Sequence, residues 1–238
     1  MKVGLLLCDH VRPGFQRIGG DYTDFFTRLL PELEIKPYDL TEGVFPAEGD
    51  DLSAFIISGS RLNVVDDRPF IGQLFDFIRH LDQERRKVVG VCFGAQAIAH
   101  ALGGEVDPAP GGWSVGIKHI EVVAQERWMA PPAPRFAILH SNAQQVMSLP
   151  RGGKLLGRSD AVPISMFSVG GHLLGVQGHP EFTVDYAAIL MEARRGTVIP
   201  DQVVDAGLAS LNDPPSTGLL SSWISHFITG NKQNSYHT

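Results

Sequence analysis

The sequence predicts an α/β fold in which a mostly parallel central sheet carries helices on both faces and is joined by a small β-rich antiparallel extension. Three observations predict it. Strand-like and helix-like segments alternate about four times over the first hundred or so residues, the pattern of a parallel sheet wrapped by helices. From Gly103 to Gln177 the segments become short, β-rich and separated by Gly, Pro and Ser. The chain has 238 residues and is 43% hydrophobic, enough for one substantial core, so a single domain spanning residues 1–238 is expected.

Lys2–Leu7 is an apolar run that reads as a central strand, followed by a loop carrying Asp9, His10, Arg12 and Gly14. Asp21 is placed to cap a helix through Phe25, Phe26, Leu29 and Leu30, which Pro31 ends. Leu33–Tyr38 and Ala54–Ile57 are the next strands, and the second runs into Ser58-Gly59-Ser60. From Pro69 to Glu84, Phe70, Leu74, Phe77, Ile78 and Leu81 recur at helical spacing. Val88–Val91 is a fourth strand and Ala95–Leu102 a helix rich in small residues. Later strands are expected at Ile117–Val123, Phe136–Leu139, Leu155–Arg158, Ile164–Val169 and Leu173–Gln177, with Gly170-Gly171 as the turn between the last two. Pro131, Pro132 and Pro134 mark a loop. The tail from Thr183 reads as helical, ending in a stripe of Leu219, Trp223, Ile224 and Phe227. In parallel sheets ligands bind at the carboxyl ends of the strands, so the loops after Leu7, Ile57 and Val91 are expected on one edge.

The net charge of −6 and the absence of a Lys/Arg cluster argue against a nucleic-acid surface. Two distant cysteines do not make a disulfide framework. No apolar stretch is long enough to span a membrane, and no targeting segment precedes the first strand. A cytoplasmic protein without a membrane or nucleic-acid partner is expected. The histidines show no metal-protease spacing and the cysteines are not spaced as ligands, so neither a metal nor another cofactor is expected.

The candidate chemistry centres on Gly90-Val91-Cys92-Phe93-Gly94. A cysteine between a buried strand and a helix sits on a sharp turn, where flanking glycines tolerate strain and close approach. The N-terminus of the following helix favours thiolate, the reactive form. Cys8 has no such setting and reads as a buried strand terminus. A nucleophilic thiol needs a base, and the base needs an orienting group. Leu174–Gln177 runs into Gly178-His179-Pro180-Glu181, where His179 stands near a strand end and Glu181, two residues on, projects to the same side. Cys92, His179 and Glu181 are therefore the candidate triad, which is defined by geometry rather than chain order. Taken alone, His179 also fits a loop histidine and Glu181 a helix cap.

These residues resemble a class I (triad-type) glutamine amidotransferase domain of the GMP synthase-like, free-standing kind. The family pattern G-x-C-x-G-x-Q matches Gly90, Cys92, Gly94 and Gln96, and Gln-x-His-Pro-Glu matches Gln177, His179, Pro180 and Glu181. Gly59 matches the oxyanion-loop glycine, and Leu5-Leu6-Leu7-Cys8-Asp9 with Gly20-Asp21-Tyr22 resemble free-standing members. The resemblance runs from residue 1 to about residue 190 and implies a flavodoxin-like amidotransferase fold. It implies that Cys92 attacks the side-chain amide of glutamine, that the backbone N–H groups of Gly59 and Phe93 form the oxyanion hole, and that His179, oriented by Glu181, protonates departing ammonia from a γ-glutamyl thioester. It also places Gln96, Ser114, Val115, Ser141 and Asn142 around the substrate. Two departures stand out. Ser114 occupies the place of a family Glu, and Asn142 and Gln144 replace His and Asp in Ser141-Asn142-Ala143-Gln144.

Three functions compete. The first is glutamine hydrolysis that supplies ammonia to a synthetase; with the chain ending at Thr238 and no phosphate-binding glycine loop, that synthetase is expected to be a separate subunit. The second is a free-standing γ-glutamyl peptidase or hydrolase using the same triad on a small-molecule γ-glutamyl compound. The third is a non-catalytic regulatory module that keeps the fold.

Overall fold

The computed structural model describes residues 1–47 and 49–230; the expected domain of 1–238 therefore includes a few positions outside the described residues. The strands and helices run β1 (Lys2–Leu7), α1 (Pro13–Gly19), α2 (Tyr22–Leu29), β2 (Glu34–Asp39), β3 (Ala54–Ile57), α3 (Pro69–Gln83), β4 (Lys87–Val91), α4 (Phe93–Ala101), β5 (Glu105–Pro108), β6 (Ser114–Val122), β7 (Arg135–Asn142), β8 (Gln144–Ser148), β9 (Gly153–Arg158), β10 (Met166–Val169), β11 (Leu173–Val176), α5 (Val184–Glu192), α6 (Asp201–Ser210) and α7 (Thr217–Thr229). A 9-stranded sheet has the order β2-β1-β3-β4-β11-β10-β9-β6-β7. Pairing is parallel from β2 to β11 and antiparallel from β11 to β7.

The two-residue alternation of the strands sorts their side chains onto opposite faces. Val3, Leu5, Val89, Val91, Leu174 and Val176 join one buried cluster with α2 and α7, which presents Leu220, Trp223, Ile224 and Phe227. Leu6, Val88 and Leu173 join the other, with α3 and α4. The antiparallel strands do not form a layer of their own. Most of them continue the central sheet, and only β5 and β8 make a separate ribbon.

Local chemistry explains the boundaries. Asp21 caps α2 and closes a capping box with Asp24. Gly170 and Gly171 both adopt positive φ, which the tight turn from β10 to β11 requires. Three elements escape sequence reading. Helix α1 buries no residue, so it has no amphipathic stripe, while β5 is short and largely exposed and β8 opens on two glutamines.

Gly90 and Gly94 allow β4, α4 and β3 to touch. A Cβ on Gly94 would overlap the Ile57 carbonyl, and one on Gly90 would overlap the Gly94 carbonyl. Gly94→Ala is expected to destabilise the fold by about 1–3 kcal/mol through overpacking. Gly72 in α3 faces open space, so Gly72→Ala is expected to stabilise by about 0.5–1 kcal/mol through lower chain entropy. Urea unfolding of the two variants checks the opposite signs.

Candidate active site

Cys92 follows β4 directly and precedes the first residue of α4. Its backbone has φ 52° and ψ −105°, an unusual conformation for a residue with a Cβ and one that costs roughly 1–3 kcal/mol. The strain of the elbow thus falls on the cysteine itself, while the glycines beside it serve close approach. Cys92 N–H donates to the Val176 carbonyl at 2.8 Å, which ties the elbow to β11. Phe93 opens α4, so its N–H has no carbonyl inside the helix to meet.

Strands β4 and β11 are parallel neighbours, with Val91 opposite Val176. Their ends lie side by side, which brings His179 to Cys92. The His179 N–H donates to the Leu139 carbonyl at 2.7 Å, so β7 holds the backbone of the histidine. The ring is buried. Its Nδ1 meets Glu181 Oε1 at 2.8 Å, and it stacks on Phe182 with centroids 3.9 Å apart and planes 6° apart. The remaining ring nitrogen, Nε2, is left free of Glu181, and the ring lies close enough to the Cys92 sulfur to interact with it. Gly59 packs against both: a methyl group there would stand 2.9 Å from His179 Cε1 and 3.7 Å from Cys92 Cβ. Burial alone would depress the pKa of His179. Attraction to Glu181 and to the Cys92 sulfur, together with hydrogen bonds to both, outweighs burial and lifts it to about 10. Cys8 differs: it is buried at the end of β1, and desolvation pushes its thiol pKa far up.

The loop bearing Gly59 is pinned to the end of β1. Arg61 Nε and Nη2 grip Asp9 Oδ2 and Oδ1, each at 2.7 Å, and the Arg61 N–H adds a third bond at 2.9 Å. Burial would raise the pKa of Asp9, but these bonds from Arg61 and the His10 N–H hold it below its ordinary value. Ser58 Oγ accepts from the Cys8 N–H at 2.9 Å.

The other predicted residues divide into groups. Gln96 and Asn142 meet at one point, each side-chain amide donating to the Gln144 carbonyl at 2.8 Å. Asn142 Oδ1 lies 3.1 Å from His140 Nδ1, and burial drives the pKa of His140 down to about 3, which keeps it neutral. Ser114 stands opposite Asn142 in the β6–β7 register, with its Oγ buried and unpaired among the described residues. Val115 turns away and packs with Met191, Ile199 and Val204, leaving only its backbone for a substrate. Ser141 instead faces His179 across a slot, where its Oγ accepts from Arg194 Nη1 at 2.9 Å. Sequence reasoning did not single out Phe182, Tyr186, Arg194 or the Asp9–Arg61 clamp. The nearness of Phe182 to His179 in sequence was the one available signal; the others come from distant loops and helices. Among the described residues, no group of His, Cys, Asp or Glu could hold a metal, and no helix is long and apolar enough to cross a membrane.

A family model described as glutamine amidotransferase class-I matches residues 29–190. The chain belongs to the class I glutamine amidotransferase family. Gamma-glutamyl peptidase 4 of Arabidopsis thaliana is 34% identical over 176 residues, covering 70% of each chain. The glutamine-hydrolyzing GMP synthase of Phocaeicola vulgatus is 28% identical over 169 residues, covering 68% of this chain but 31% of that one. A glutamine amidotransferase of Thermotoga maritima has the same fold, with a TM-score of 0.73 at 18% identity over 96% of this chain and 98% of that one. Family membership makes the chain a cysteine-dependent amide hydrolase.

Because folding raises the His179 pKa from 6.5 to about 10, the stabilisation from its charged pairing is fully present below pH 6.5 and is lost as pH rises through about 10. Glu181→Gln is expected to lower the pH at which the His179 ring titrates and to shrink the stability lost across that window. Histidine NMR and urea unfolding at both ends of the window check this.

Proposed function

We propose that this protein hydrolyses γ-glutamyl amides through a covalent thioester. The observation that carries the reading is the meeting of Cys92, His179 and Glu181 at the adjacent ends of β4 and β11. Cys92 Sγ attacks the γ-carbonyl carbon, and the oxyanion draws on the backbone N–H groups of Phe93 and Gly59. The imidazolium of His179, held by Glu181, passes its proton to the departing amine. His179, now neutral, takes a proton from water as water attacks the thioester, and cleavage of the C–S bond releases glutamate and returns the sulfur and the imidazolium to their starting state. Gln96, Ser114, Asn142, Ser141 and the Val115 backbone are proposed to receive the amino-acid end of the glutamyl group.

We favour γ-glutamyl compounds with a leaving amine larger than ammonia. Relatives named gamma-glutamyl peptidase match over 68–90% of their own length, whereas the GMP synthase matches 31% of its length. Ser114, in place of an acid, removes a charge from the acyl side of the site. Release of ammonia from glutamine is the second reading, favoured by the GMP synthase similarity; its acceptor would be a separate synthetase subunit. We place the protein in the cytoplasm, because both cysteines are free and a nucleophilic thiol suits a reducing compartment.

Side-by-side assay of γ-glutamyl dipeptides and glutamine tests the choice, with faster hydrolysis of dipeptides expected; equal or greater ammonia release from glutamine reverses it. Cys92→Ser is expected to abolish hydrolysis of both without unfolding the protein. His179→Ala is expected to cut turnover about 10²–10⁴-fold. An unaltered rate in either variant refutes the mechanism.

A further inference from the structure

We propose that Arg194 is a specificity residue that binds a carboxylate on the leaving amine, so that the preferred substrates are γ-glutamyl amino acids or peptides; this rests on the hydrolase reading above. The placement of the slot comes first. Arg194 follows α5 and lines the same narrow slot as His179, whose other walls include Asp9, Tyr22, Arg61 and Tyr186. Gln96, Ser114 and Asn142 are not among its walls, and Ser141 alone joins the two regions. With the glutamyl group placed at Gln96, Ser114 and Asn142 as proposed above, the slot is left for the other side of the scissile amide. The group that departs past His179 enters the slot.

Charge points the same way. The carboxylates near the slot are already committed: Asp9 to Arg61, and Asp21 and Asp39 to the two ring nitrogens of His10, at 2.6 and 2.8 Å. Arg194 has no carboxylate partner among the described residues. Its guanidinium donates to the neutral Ser141 hydroxyl and lies 5.5 Å from the centre of the Trp113 ring. Desolvation pulls its pKa down, the expected result for a cation withdrawn from water without a counter-ion. A planar guanidinium held on two neutral supports keeps donors free for a two-pronged grip on a carboxylate. Arg12, exposed and also lining the slot, adds positive potential. The slot holds about 30 Å³.

The test compares γ-glutamylglycine with γ-glutamylmethylamide, using the full chain. The two share the acyl group and scissile amide and differ in the carboxylate of the leaving amine. Wild type is expected to prefer γ-glutamylglycine by about 10- to 100-fold in kcat/KM, the range of a lost charge-assisted hydrogen bond. Arg194→Gln is expected to collapse that preference by raising KM for γ-glutamylglycine far more than KM for the methylamide, and Arg194→Lys to restore part of it. Equal turnover of both compounds by wild type overturns the inference. So does an equal loss for both in Arg194→Gln, which would assign Arg194 to scaffolding or to the glutamyl α-carboxylate. If wild type hydrolyses neither compound nor glutamine, the hydrolase reading fails and takes the inference with it. Should Arg194→Gln not fold, thermal shifts of Cys92→Ser decide: a larger shift with γ-glutamylglycine than with the methylamide supports the inference, and equal shifts overturn it.

Discussion

The parallel pairing of β4 with β11 is the constraint on which the rest of the structure depends. Parallel neighbours lie about 4.8 Å apart and end on the same edge of a sheet. Val91 stands opposite Val176, so the residues just beyond these strands have nowhere to go but toward each other. The Cys92 N–H bonds the Val176 carbonyl, and the His179 N–H bonds Leu139 on β7. One backbone bond holds the sulfur-bearing residue to the histidine's strand, and the other holds the histidine to the antiparallel part of the sheet. The side chains then need little freedom to meet, which limits the entropy lost in bringing them together.

Around this pair the protein separates charges by burial and pairing. The pKa of His179 is raised by its pairing with Glu181 and the Cys92 sulfur, while that of His140, close by in the fold but lacking a carboxylate, is lowered by burial. Asp9 and Arg61 neutralise each other and thereby fix the Gly59 loop against Cys92 and His179. The phenyl ring of Phe182 closes one face of the imidazole, so its orientation is set by stacking as well as by Glu181.

Much of this was legible in the sequence, for physical reasons that can be named. Strands β1, β3 and β4 are continuous apolar runs because they are buried on both faces, and such runs read plainly. Cys92 was legible because its glycine-flanked elbow is dictated by backbone geometry, and His179 because Gln177, His179, Pro180 and Glu181 resemble a family pattern. Helix α1 and strands β5 and β8 were not, since exposed or short elements carry little hydrophobic periodicity. Arg194 lies far from Ser141 in sequence, and only the docking of α5 against β7 brings them together. The division of the other candidate residues was equally hidden: Val115 and Ser114 are adjacent, yet the strand points them to opposite sides.

The central claim is that Cys92, and not the equally buried Cys8, is the sulfur that the sheet presents to an acyl carbon. An electrophilic glutamine analogue followed by digestion and mass mapping tests it most directly. The account predicts one adduct per chain, on the peptide carrying Cys92, with Cys8 unmodified. Labelling of Cys8 at a similar rate, or no adduct on Cys92, would contradict it.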